Sequence, residues 1–79
     1  MKGDFRELLG KTITGIQVRE DTTFHSTQVF LAFDDGTYFE FYSDGRINGI
    51  QCIYPGNMET IRALPPGNSE ILVDVTNTP

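Results

Sequence analysis

Cys52 and His25 are the only side chains here with the chemistry of a soft nucleophile and a near-neutral base, and each occurs once. Together they would make a thiolate–imidazole pair, which needs the ring held against the sulfur. Cys52 falls in an alternating apolar run, where a cysteine serves as a small interior residue. His25 falls in the polar stretch 21–27. The expectation is therefore no catalytic pair. A structural zinc site normally takes four Cys or His ligands, so no metal centre is expected either. Asp34–Asp35 and Glu20–Asp21 have the form of acid–base or cation-binding pairs. Aspartate ahead of Gly36 is also what a tight turn requires for backbone reasons. No phosphate-cradling glycine loop, nucleophile elbow or His-Glu-x-x-His helix occurs. The chain reads as a non-enzyme with no cofactor, a binding or assembly module, the alternative from these residues being a small thiol-dependent enzyme or sensor that uses Cys52.

Charge narrows the partners. Six Lys and Arg are scattered among eleven Asp and Glu, for a net charge of −5. Nucleic-acid affinity rests on cations that neutralise phosphates, so DNA, RNA and anionic membranes are disfavoured. A ring of copies could still gather one arginine around an axis. No run approaches the roughly 18 apolar residues of a membrane span. The acidic start, Met1-Lys2-Gly3-Asp4, has no apolar export core, which points to the cytoplasm or to a virus replicating there.

The elements that would position these residues are short. Seventy-nine residues make one domain, 1–79. A chain of this size buries only about 60% of its unfolded surface. With one cysteine, no internal disulfide can reinforce it, so a homo-oligomer is expected, and a protein partner is possible. Asp4 and Glu7 have capping-box spacing ahead of a short helix carrying Phe5, Leu8 and Leu9, stopped by Gly10. Residues 11–20 read as a strand in which Ile16 and Val18 alternate. Ile13 is out of phase unless a bulge at Gly15 returns it to their face.

The strongest local signal is the hairpin 29–33, Asp34-Asp35-Gly36, 37–42. A three-residue turn with Gly36 left-handed pairs Phe33 with Thr37. It gathers Val29, Leu31, Phe33, Phe39 and Phe41 on one face, taken as the inner one. Phe30, Ala32, Tyr38, Glu40 and Tyr42 share the other. Phe30, Tyr38 and Tyr42 would then be either covered by the N-terminal helix or presented as an interaction surface. Ser43-Asp44-Gly45-Arg46 turns into a strand over 47–54. Asn57 caps a helical turn, 58–64, with Met58, Ile61 and Leu64 along one side. Residues 70–76 form the last strand, Ile71, Val73 and Val75 inward, Leu72 and Asp74 outward. The tail 77–79 is expected to be loose. The whole reads as a mainly β protein, a five-stranded antiparallel barrel.

This order resembles the Sm-like small β-barrel over most of the chain. Asp44-Gly45-Arg46-Ile47-Asn48 has the aspartate-to-asparagine spacing of that family's first motif. The resemblance implies a ring assembled by edge-strand pairing and contact with single-stranded RNA, for which Asn48 would be the base-contacting residue. Leu9-Gly10-Lys11-Thr12-Ile13, followed by Asp35-Gly36-Thr37-Tyr38, is also similar to small β-domains of bacteria and their phages, a likeness that implies no activity.

Overall fold

The computed structural model describes residues 5–23, 26–43 and 50–77. Asp4, His25, Asp44, Arg46 and Asn48 lie outside the described residues, as does the side chain of Cys52. A one-turn 3-10 helix, Phe5–Leu8, is followed by β1 (Ile13–Asp21), β2 (Thr27–Phe33), β3 (Thr37–Ser43) and β4 (Ile50–Pro55). Helix α1 (Met58–Arg62) then leads to β5 (Ser69–Thr76). The protein is mainly β, a five-stranded antiparallel sheet in the order β4-β3-β2-β1-β5. Among the described residues no ladder joins β4 to β5, and closure into the expected barrel is not shown.

Turn chemistry sets the hairpin register. Gly36 adopts φ +81°, which only glycine takes without strain. Asp35 accepts from the Thr37 backbone N–H at 3.1 Å, an aspartate used to shape a turn. The pairs Val29 with Phe41, Leu31 with Phe39, and Ala32 with Tyr38 follow, the expected three-residue register. The expected bulge is also present. Ile13 lies opposite Phe33 and Ile16 opposite Leu31, with the register shift between Ile13 and Gly15. Ile13 therefore joins Ile16 and Val18 on one face.

Both hairpin faces bury rings: Phe33 and Phe39, on the face expected inward, are 4% and 2% exposed, and the face expected outward is buried as well. Strands β4 and β5 sit at opposite edges, roughly 19 Å apart for four strand spacings. The link between them must cross one face of the sheet, and it carries α1. That face is the one bearing Phe30, Ala32 and Tyr38, which pack with Met58 and Ile61, flanked by Tyr54 and Leu64. Phe30 is 1% exposed and Ile61 fully buried. Each such side chain contributes about 1.5–3 kcal/mol by leaving water. Asn57 caps α1 reciprocally with Thr60, as its position before the helix suggested.

The crossing face also buries polar side chains. Gln17 and Arg19 alternate with Ile16 and Val18, yet it is Gln17 and Arg19 that lie inside, 0% and 2% exposed. A buried guanidinium needs acceptors, and the end of α1 supplies them. Arg19 donates to the Ile61 carbonyl at 2.8 Å, the Leu64 carbonyl at 3.2 Å and the Pro65 carbonyl at 3.4 Å. It also donates to Gln17 Oε1, and its guanidinium lies 5.5 Å from the Phe30 ring centre. Carbonyls left free at a helix C-terminus carry partial negative charge, which a cation satisfies.

Candidate interaction surface

The sequence placed its candidate surface on Phe30, Tyr38 and Tyr42. The structure puts Phe30 and Tyr38 in the interior beneath α1, with Tyr42 half-buried farther along the same face. Tyr38 stacks with Tyr54 at 5.4 Å between ring centres and lies 6.4 Å from Phe30. Burial raises the Tyr38 hydroxyl pKa above its ordinary value. Within a single chain these rings form core.

The candidate nucleophile Cys52 sits in β4, its backbone paired with Glu40. Asp35 is engaged by the Lys11 ammonium and by Thr37, which hold its carboxyl down to about 2. That carboxylate closes the turn and ties it to the strand-leading segment at Lys11, whose ammonium also lies 5.1 Å from the Phe33 ring centre. Among the described residues no group of three or more His, Cys, Asp or Glu could hold a metal ion, and no helix is long and apolar enough to cross a membrane.

The surface that the sequence missed is on the other face. Strand pairing sets Val75 opposite Ile16 and Val73 opposite Val18, and Ile13 joins them through the Gly15 bulge. These were expected inside, yet Ile13 is 46% exposed, Val73 40% and Val75 52%. Ile16 and Val18 are half-buried. Asp74, expected outward, points to the α1 side. It accepts from Gln17 Nε2 at 2.7 Å and from Arg62 Nη2 at 2.6 Å. The Arg62 bond, then the Gln17 bond, keep its carboxyl below the usual aspartate range, and the same bond raises Arg62.

A shallow, mostly apolar depression of about 210 Å³ lies where β1 and β5 meet, lined by Ile13, Gly15, Ile16 and Val75 among others. Scattered apolar residues are normal on a surface, and contiguous apolar patches stand out only beyond a few hundred Å². Nothing catalytic accompanies them among the described side chains. A continuous β-branched surface offers shape and desolvation, the means by which one protein holds another. The usable signal was mixed composition on both hairpin faces, with Gln17 and Arg19 on the same side as Phe30 and Tyr38. No family model, no curated protein and no solved structure matches this chain, and the β1–β5 surface stands on its own geometry.

Proposed function

We propose that this protein is a non-catalytic assembly module that associates with copies of itself. The supporting observation is the exposure of Ile13, Val73 and Val75 on β1 and β5, on the face away from α1. The chain measures 33 × 29 × 16 Å, thin for a protein with a water-facing apolar sheet. A domain this small gains stability by burying such a face against another subunit. Light scattering at micromolar concentration tests it. A mass above that of one 8.9 kDa chain is expected, and a single-chain mass at every concentration overturns it.

Strand order supports a second form of the idea. An edge-to-edge order of β4-β3-β2-β1-β5 leaves two free edges that could curl together, or pair between copies, as in an Sm-like ring. RNA binding would then rest on Asn48. The chain has Pro66-Gly67-Asn68 where that family carries a basic residue before glycine, which weighs against an RNA role. Retention on uridine-rich RNA at low salt would support it, and absence of retention would remove it.

A further inference from the structure

We infer that Asp35-Gly36, at the tip of the β2–β3 hairpin, is a site of spontaneous isoaspartate formation that the folded turn holds shut. The modification at this position then records opening of the turn.

The chemistry needs no partner beyond water. The Gly36 backbone nitrogen attacks Asp35 Cγ, and the carboxyl group loses one oxygen as water, closing a cyclic imide. Glycine favours the step because it has no side chain to shield that nitrogen. Water then opens the ring at either carbonyl. One opening restores aspartate. The other runs the backbone through Asp35 Cβ, an isoaspartate of unchanged mass.

The folded chain restrains each part of that reaction. Asp35 Oδ2 accepts from the Lys11 ammonium, and Oδ1 accepts from the Thr37 hydroxyl and from the Thr37 backbone N–H at 3.1 Å. Attack comes at the face of the carboxyl group, whereas these bonds fix its plane. They also keep the group ionised, its pKa lowered to about 2, and a carboxylate is a far poorer electrophile than the neutral acid. The main chain on either side is tied as well. The Asp34 N–H donates to the Thr12 carbonyl at 3.1 Å, and the Gly36 carbonyl accepts from the Gly56 N–H at 2.9 Å. The tip is therefore pinned to the segment before β1 and to the residue just beyond β4, and cyclisation requires it to come free. An isoaspartate adds a backbone atom to a turn whose length sets the register, so a marked chain does not fit the same hairpin.

Four samples at neutral pH decide the matter: the native chain folded, the native chain in urea, and folded Lys11→Gln and Thr37→Val. Circular dichroism confirms which are folded. Isoaspartate is read by peptide mapping, which separates position 35 from Asp44-Gly45 and Asn48-Gly49, the other candidates that precede glycine. Isoaspartate should accumulate at position 35 in urea. In the folded native chain its rate should be about tenfold lower or more, as for a carboxylate held by three hydrogen bonds. Lys11→Gln removes the ammonium and Thr37→Val the hydroxyl, and each should recover part of the unfolded rate. Should a variant fail to fold, the folded and urea-treated native samples still decide. Equal rates at position 35 in those two samples overturn the proposal, as does no isoaspartate there in urea. So does a rate that neither folded variant raises.

Discussion

Replacing Arg19 by methionine should destabilise the fold by about 2–4 kcal/mol, and the figure can be worked from its partners. Of the three carbonyls it serves, Ile61 belongs to a fully buried residue, Leu64 is half-buried and Pro65 is exposed. A carbonyl left buried without a donor costs about 1–3 kcal/mol, whereas one that water can reach costs little. The Ile61 carbonyl therefore carries most of the loss, and Leu64 a fraction. Gln17 keeps its bond to Asp74 but loses the donor to its own oxygen. Loss of the cation over Phe30 adds about 0.5–1 kcal/mol. Relief from holding a charge out of water offsets part of the total. A domain of 79 residues has about 4–12 kcal/mol in hand, so this is a large share. At about 4–8 °C per kcal/mol for a chain of this size, Tm should fall by roughly 10–25 °C. Arg19→Lys keeps the charge but not the fork, and should fall between parent and methionine variant. Thermal melts followed by circular dichroism at one fixed protein concentration provide the assay. A methionine variant melting within about 3 °C of the parent would refute the claim that Arg19 fastens α1 to the sheet.

Other substitutions probe the same packing. A Cβ on Gly15 would stand 2.5 Å from Met58 Cγ and 2.8 Å from Sδ, so Gly15→Ala should cost about 1–3 kcal/mol. Shortening Met58 to alanine should then cost less in the Gly15→Ala background than in the parent, and additive urea-denaturation values would contradict the clash. Asn57→Ala removes the reciprocal cap on α1 and should cost about 0.5–2 kcal/mol by the same measurement. Asp35 and Asp74 both have folded pKa values below their ordinary ones, so their contribution is complete above about pH 4–5. It is lost as pH falls toward the Asp35 value of about 2. Tm between pH 6 and pH 2 should fall mainly below pH 4, and less steeply in Asp35→Asn; an unchanged slope in that variant would count against the Lys11–Asp35 tie.

Local chemistry was legible in the sequence. Gly36, the Gly15 bulge and the Asn57 cap follow from backbone preferences that neighbouring residues state directly, and each fixed a register or a boundary. Which face the helix crosses was not legible, because both sides of the hairpin carry large apolar residues and both bury some of them. What decides it is the route from β4 to β5, which depends on the sheet order and cannot be seen in alternation. The same gap hid Gln17 and Arg19. Polar residues alternating with Ile16 and Val18 read as solvent-facing, and the carbonyls that Arg19 serves lie more than forty positions away around the end of α1, while Asp74, the acceptor for Gln17, lies as far off on β5. Of the two readings of Phe30 and Tyr38, covered by a helix or presented, the burial fits the first, with α1 and not the N-terminal helix as the cover. The apolar row of β1 and β5 was taken for core.

Strand β1 comes early in the chain yet takes an interior place in the sheet, with one flank filled only by β5, more than fifty positions later. A nascent polypeptide extended only to Pro55 would hold a meander whose β1 flank lacks its neighbour and whose Phe30 and Tyr38 lack their lid. Residues 58–76 supply both at once, so docking of the final strand and seating of the helix belong to one late, cooperative step. Trimming that segment should yield an insoluble product, with no smaller folded remnant.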